Sequence, residues 1–160
     1  MNPTIPSGEN NLVVARYRTG EVVKGYTRDF FPDRPVFHIL PKGGQVSVQV
    51  MTAQLKALFF VSDLLGNRLR NKGRRFPAVD QGPQTGRRIA VMFEDGELLV
   101  GYSQTYSAEK TGFFVFPADP LSNNIRVYVL RAATKQIKLG PAADELARSA
   151  PPPRPKPKAA

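Results

Sequence analysis

The sequence predicts an all-β protein that folds as two tandem, strongly curled small barrels of five strands each, sharing an interface. Three observations lead to this prediction: the chain repeats itself, its apolar residues alternate in short runs, and a glycine interrupts the same strand of both copies. Alternation over about four to eight residues is typical of half-buried strands, whereas an amphipathic helix has a period of about 3.6.

The repeat aligns residues 13–41 with residues 89–117 without gaps. Gly20 meets Gly96 and Gly25 meets Gly101, each pair 76 positions apart (96 − 20), and a Glu, a Tyr, a Phe and a Pro recur in the same register. After a three-residue insertion, VSVQVMTAQLKAL continues onto IRVYVLRAATKQI. One register over so many positions indicates a duplicated unit.

Within each copy, turn signals separate five short apolar runs. Thr19-Gly20 and Asp95-Gly96 predict tight hairpin turns, since glycine tolerates positive φ. Gly25 and Gly101 fall inside the second strand, where we expect the sheet to curl. The predicted strands cover residues 13–17, 21–30, 37–40, 46–51 and 55–61 in the first copy, and 89–93, 97–106, 113–116, 125–130 and 134–139 in the second.

The composition divides the chain into five parts. We predict an N-terminal tail over 1–11, the first barrel over 12–61, a basic linker over 62–87, the second barrel over 88–140 and a flexible Pro-rich tail over 141–160. A short helix around 63–70 and a PxxP ligand formed by Pro152 and Pro155 are weaker alternatives for the linker and the tail.

The residue inventory excludes several chemistries and favours a protein that is not an enzyme. The chain has no Cys and a single histidine, His38, which removes disulfides, thiolate nucleophiles and Cys/His zinc sites. No P-loop, nucleophile elbow or dinucleotide fingerprint is present. We assign structural roles in turns and packing to the remaining acid/base candidates, and expect no catalytic residue, cofactor or metal: Asp29, Asp33, Glu94, Asp95, Glu97 and His38.

Neither a secretory signal nor a membrane span is predicted. The N-terminus lacks a basic segment followed by an apolar one, and no window approaches the ~20 apolar residues that cross a bilayer. A cytoplasmic location is therefore the expectation. The sequence leaves the oligomeric state open.

Half of the net charge of +10 lies in residues 62–88, which carry seven basic and two acidic side chains. Such a segment either follows phosphates, with Tyr26, Tyr102, Tyr106 or Phe114 stacking on bases, or is simply a solvated linker. The candidate phosphate or nucleic-acid contacts are Arg68, Arg70, Lys72, Arg74, Arg75, Arg87 and Arg88.

Aromatic residues predict a protein-interaction surface. The third strand of the second copy, residues 113–116, has large apolar groups on both faces, so that something beyond its own core must cover one of them. Phe59 or Phe60 is expected at the seam between the two barrels. Lys56 and Lys135, which recur in the last strand, are expected to protect sheet edges. The candidate interaction residues are Phe59, Phe60, Phe114 and Phe116.

Each copy resembles the first motif of Sm-like proteins, including bacterial Hfq, within the wider group of SH3-like barrels. The resemblance rests on an apolar strand, a G-x-x-x-x-G spacing and an aromatic residue five positions on (Phe30, Tyr106). Phe31 and Ser107 stand where that family has an Asp, and Met51-Thr52 and Leu130-Arg131 stand in place of the Lys-His pair of Hfq. The family's RNA-contacting residues are therefore not carried over.

Over residues 11–140, the segments LKALFFVSDLLGN and GFFVFPADPLSNNIRVYVL resemble an uncharacterised bacterial family whose members often accompany PilZ signalling proteins. This resemblance implies a regulatory role. The chain is thus expected to be a non-catalytic regulatory or adaptor module that binds another macromolecule, foremost a protein. RNA or DNA binding is the alternative. Binding of cyclic-di-GMP through Arg70 and Arg74, which match only half of the PilZ motif, is a third.

Overall fold

Alternating apolar residues produce strands at nearly all of the predicted positions. The computed structural model describes residues 11–62, 86–119 and 124–150, which form ten strands and one short α-helix. The strands are β1 (Asn11–Tyr17), β2 (Val22–Thr27), β3 (Val36–Pro41), β4 (Val48–Met51), β5 (Leu55–Val61), β6 (Arg87–Phe93), β7 (Leu98–Ser103), β8 (Gly112–Pro117), β9 (Asn124–Leu130) and β10 (Thr134–Leu139). The helix is α1 (Pro141–Ser149).

The strands recur along the chain at the spacing of the sequence repeat. The bounds of β1, β2 and β3 return 76 residues later as β6, β7 and β8, as in the step from 11 to 87. A single turn of 3₁₀ helix, at Thr52–Gln54 and again at Arg131–Ala133, then leads into β5 and β10. The two halves of the chain therefore use the same order of elements.

All ten strands lie in one antiparallel sheet rather than in two closed barrels. The strand order is β10-β6-β7-β8-β9-β5-β1-β2-β3-β4, so β10 and β4 are its two ends and the sheet is open. The halves join where β5 pairs with β9, with Phe59 opposite Val127. Local apolar patterns do not determine which distant strand becomes a neighbour, and for this reason the sequence predicted closed units.

Three hydrophobic clusters form the core among the described residues, and two of them draw residues from both halves. The cluster of the first half includes Tyr128 and Leu130 from β9, while the cluster of the second half includes Ala57 and Phe59 from β5. The ring of Phe30, for example, lies 5.2 Å from that of Tyr128 in edge-to-face contact. Because every residue of β5 is buried, this strand belongs to both cores.

The predicted hairpin turns are confirmed. Gly20 and Gly96 have φ of 100° and 93°, in the left-handed region that favours glycine. In each turn the glycine N–H donates to the carbonyl of the last residue of the preceding strand, Tyr17 or Phe93, at 3.0 Å. These two turns fix the registers of β1 with β2 and of β6 with β7.

The second strand of each half is shorter than predicted. It ends at Thr27 and Ser103 rather than near residues 30 and 106. The hydroxyl of Thr27 donates to the carbonyl of His38 at 2.8 Å, and that of Ser103 donates to the carbonyl of Phe114 at 2.7 Å. Side-chain hydrogen bonds of this kind compete with the strand ladder and end it.

Residues 141–149 form a helix, which corrects the prediction of a flexible tail beginning at 141. Proline is favourable in the first turn of a helix, and Asp144 complements the helix dipole there. Ala143 and Ala147, four residues apart, form the buried side of α1. The remainder of the predicted tail, residues 151–160, lies outside the described residues, as do 1–10 and most of the predicted linker.

Helix α1 covers the outer face of β6 and β7. Its buried alanines pack against Met92, Leu98 and Val100. The residues at the equivalent positions of the first half are Arg16, Val22 and Lys24. An ion pair of 2.7 Å between Arg88 and Asp144 adds a polar contact between β6 and the helix.

Replacing Ala143, which is fully buried, with aspartate is expected to detach α1 from the sheet. The carboxylate would enter an apolar contact without a partner, at a cost of about 1–3 kcal/mol. Hydrogen exchange of the amides of residues 141–149 should accelerate while the strands stay protected. Ala142→Asp is the matched control, because Ala142 is exposed; equal acceleration in both variants would contradict the packing described.

Candidate functional site

A row of half-buried aromatic residues and an arginine lies on the outer face of the second half. Tyr102 on β7 is opposite Phe116 on β8, and Phe114 lies two residues before Phe116, on the same face of the strand. Arg126 on β9 places its guanidinium 4.8 Å from the Phe114 ring centroid. We call this surface the aromatic–arginine strip: Tyr102, Phe114, Phe116 and Arg126, each partly exposed.

The guanidinium of Arg126 is held by aromatic rings rather than by carboxylates. It stacks over Phe60 at 4.3 Å from the ring centroid as well as over Phe114. Within residues 11–62, 86–119 and 124–150, its side chain forms no hydrogen bond or ion pair. Burial lowers the pKa of Arg126, but a guanidinium stays charged throughout the physiological range. Its donors are therefore oriented by the two rings and have no acceptor in the part of the chain that the structure describes.

Arg131 shows what a structural arginine does in the same half. It also stacks on a ring, that of Tyr106, at 5.2 Å. Its donors, however, are used by the loop before β8: they reach the carbonyls of Lys110 at 3.0 Å and Ser107 at 2.6 Å. Arg131 thus holds a loop, whereas Arg126 makes no comparable hydrogen bond to any described residue.

A second polar cluster, which the sequence did not predict, joins the two halves at Lys56. Its ammonium donates to Asp95 at 2.7 Å and also to Glu97, and lies 4.7 Å from the centroid of the Phe93 ring. The prediction that Lys56 protects a sheet edge is wrong, since β5 lies in the middle of the sheet and the residue is 8% exposed. Lys135, its counterpart on the end strand β10, is exposed.

The signal for this cluster was present in the sequence. Lys56 is the single charge in LKALFFV, a strand apolar on both faces. A cation in such a strand requires a carboxylate partner, because burying an unpaired charge is costly. The repeated glutamate beside the turn glycine, at residue 97, supplies one of the two.

His38 and Asp29 form an exposed pair in the first half. The His38 ring nitrogen Nδ1 lies 2.7 Å from Asp29, whose other carboxylate oxygen accepts the His38 backbone N–H at 2.9 Å. The counterpart of Asp29 in the second half, Thr105, accepts the backbone N–H of Phe114 at 3.2 Å. Because the same side-chain to backbone hydrogen bond recurs in both halves, Asp29 has a structural role in ordering the chain before β3. His38 is exposed rather than packed in the core.

Both aspartates are easier to ionise than usual. Partial burial alone would raise the pKa of Asp29 and of Asp95, but hydrogen bonds and positive charge from His38 and Lys56 respectively lower it on balance. A lowered pKa in the folded state means that the ionised form stabilises the fold. This contribution is complete above the unfolded aspartate pKa, near ~3.9, and is lost as the pH falls through the lower folded value.

The free energy of unfolding is therefore expected to decline with acidification below about pH 4. Urea denaturation between neutral and acidic pH measures this decline. In Asp95→Asn the decline should be shallower and the value at neutral pH lower, because one of the carboxylates is gone. Parallel pH curves for the two proteins would show that Asp95 contributes nothing.

The other residues predicted for the site are placed as follows. Phe59 and Phe60 are buried, at 6% and 3% exposure, and so contribute to the core rather than to an accessible surface. Arg87 is exposed at the start of β6, and Arg88 pairs with Asp144. The remaining basic candidates lie outside the described residues: Arg68, Arg70, Lys72, Arg74 and Arg75.

Two further findings concern the described residues alone. No group of three or more His, Asp or Glu side chains there is arranged to hold a metal ion. The described residues contain one α-helix, α1. No helix among them is long and apolar enough to cross a bilayer.

These observations define a small, all-β protein with a partly exposed aromatic–arginine surface. Residues 9–140 match the model of a family described as a family of unknown function (DUF6982), and the chain belongs to that family. Searches of the curated proteins and of the solved structures gave no match.

Proposed function

We propose that this protein is a non-catalytic module that binds another protein through the aromatic–arginine strip. The observation that carries the proposal is the state of Arg126: partly buried on two aromatic rings, with no acceptor for its donors among the described residues. A guanidinium that is partly desolvated and already stacked on two rings loses little conformational entropy on binding, which is the property of a binding anchor.

The composition of the strip fits this role. Aromatic residues and arginine are enriched in the centres of protein interfaces and dominate their binding energy. The strip combines three rings with one guanidinium, and the adjacent Tyr128 and Phe60 are buried beneath it. A complementary partner would offer a carboxylate to Arg126 and an apolar or aromatic side chain to Phe116.

The family context gives this proposal a setting. The sequence resemblance to proteins that accompany PilZ signalling proteins favours a regulatory or adaptor role in bacterial cytoplasm. In each half the fifth strand lies beside the first, and the second, third and fourth strands follow in order. Each half would thus act as a curled, five-stranded SH3-like or Sm-like unit.

A charge-matched pair of variants tests the binding surface. Arg126→Glu and Lys138→Glu change the net charge equally, but Lys138 is exposed on β10, away from the strip. Partners that co-purify with the wild-type chain from its own cells, quantified by mass spectrometry, should remain with Lys138→Glu. They should fall at least about tenfold with Arg126→Glu, the equivalent of losing one interfacial anchor. Arg126→Gln, which keeps most of the side-chain stem, controls for folding.

Nucleic-acid binding is the second candidate, favoured by the excess of positive charge in residues 62–88. It predicts a different result in the same experiment. Nucleic acid would co-elute, its amount would fall steeply with salt, and both charge variants would weaken it alike. The chain has no Trp and five Tyr, so even slight contamination raises the 260/280 absorbance ratio conspicuously. This pattern, without a protein partner, would overturn the first proposal.

A further inference from the structure

The end strand β4 exposes apolar side chains along an edge that pairs with no other described strand. Val48 is 38% exposed and Met51 48%, and Val46, just before the strand, is 79% exposed. Among the described strands, β4 has one neighbour, β3. Its outer N–H and C=O groups thus have no strand partner in the part of the chain that the structure describes.

The second half shows how the same strand behaves when a neighbour is present. The counterparts of Val48 and Met51 are Val127 and Leu130 on β9, which are 0% and 5% exposed. Strand β9 pairs with β5 on the side that corresponds to the free side of β4. The fourth strand of each half therefore has an edge suited to antiparallel pairing, and among the described residues that edge is paired in β9 but not in β4.

Protective features are also missing at β4. The thirteen residues 43–55, GGQVSVQVMTAQL, contain no charge and no proline, and the pairing of β3 with β4 shows no bulge. Natural proteins protect exposed edges by lysines, prolines or bulges. At the opposite end of the sheet, β10 does carry exposed lysines, Lys135 and Lys138, and is followed directly by α1.

We propose that β4 pairs with β4 of a second copy of this chain, forming a two-fold symmetric dimer with a continuous sheet. An antiparallel pair of identical strands is self-complementary about a two-fold axis. With the axis near Gln49, Val48 lies opposite Val50 of the other copy, and the valine face of each strand continues the apolar layer formed with Ile39 and Phe37.

Charge favours pairing of β4 with β4 over a head-to-tail arrangement, in which β4 of one copy would pair with β10 of another. Two copies of a charge-free strand approach each other without local repulsion, although each chain carries +10. Pairing β4 with β10 of another copy would instead place Lys138, the counterpart of Phe59, beside Val48. The junction between β5 and β9 is also packed with three aromatic residues, Phe60, Phe114 and Tyr128. Their counterparts at the two ends of the sheet are Leu139, His38 and Gln49, so a head-to-tail contact would lack these aromatic rings.

Sedimentation of the full chain over a range of concentrations tests the proposal. We expect twice the chain mass of 17.7 kDa for the wild type. Val48→Lys, which places two lysines across the axis, should raise the dissociation constant at least about tenfold. Ile125→Lys is the matched control, since Ile125 is the exposed counterpart of Val46 in the second half, and it should leave the dimer intact.

Crosslinking gives the register and excludes the alternative. Because the natural chain has no cysteine, a single Val48→Cys or Gln49→Cys variant can form a disulfide only with another copy. Under mild oxidation we expect one of these variants to form a covalent dimer by itself. A chain of monomeric mass at all concentrations would overturn the proposal. A crosslink that forms only when Gln49→Cys is mixed with Ile137→Cys would also overturn it, because these two residues would be opposite each other in the head-to-tail arrangement. Masses larger than two chains would point to the same arrangement.

Discussion

Replacing Gly101 with alanine is expected to destabilise the protein by about 3 kcal/mol or more. A Cβ at this position would lie 2.1 Å from the carbonyl oxygen of Phe116 and 2.8 Å from Cγ1 of Val115. The oxygen belongs to the backbone of β8, which is paired on both sides and cannot move away. The strands approach each other closely here only because glycine has no side chain.

Thermal or urea denaturation of four glycine variants measures this effect. Gly25→Ala should behave like Gly101→Ala, since its Cβ would lie 2.1 Å from the carbonyl oxygen of Leu40. Gly20→Ala and Gly96→Ala are the controls, because nothing lies within 4 Å there and the cost is limited to the positive φ, about 1–2 kcal/mol. If all four variants lose equal stability, close approach is not the reason for the strand glycines.

Changing Lys56 to glutamate is expected to cost about 2–3 kcal/mol, the second large effect. The side chain of Lys56 is 11% exposed, and the new carboxylate would face Asp95 and Glu97. The figure stays below that for a fully buried pair because Asp95 is 55% exposed, where solvent screens the charge. The contact between β5 and the β6–β7 turn would be lost.

The repeat supplies the control for this prediction. Lys135→Glu makes the same change at the equivalent position on β10, where the side chain is exposed, and should alter stability by no more than about 0.5 kcal/mol. Lys56→Met keeps the side-chain volume and should fall between the two. If Lys56→Glu is as stable as Lys135→Glu, the Lys56 cluster does not hold the halves together.

Local sequence patterns predicted the strands and turns well because those features depend on neighbouring residues. The register of the repeat places every strand of the second half, and the turn glycines have the expected conformation. The pairing of β5 with β9 depends instead on residues about 70 positions apart, and no periodicity encodes it. The strands therefore indicated two separate units where the chain forms one sheet.

The helix and the strip show two different reasons for missing a feature. Helix α1 was missed because it lies next to a Pro-rich segment. The sequence nevertheless contained a signal that something covers β6 and β7: their outer face carries Met92, Leu98 and Val100, where the first half has Arg16, Val22 and Lys24. The sequence did predict Phe114 and Phe116 as interaction residues. It did not identify Arg126, since a stacked arginine with open donors is recognisable only from the rings around it.

The burial of both faces of β5 limits how this chain can be divided. A half expressed alone would leave Phe59 or its β9 neighbours in water, and neither half has a complete core to retain. The two halves are thus interdependent, and we expect them to unfold in one transition, so that a destabilising change in either half lowers the stability of both.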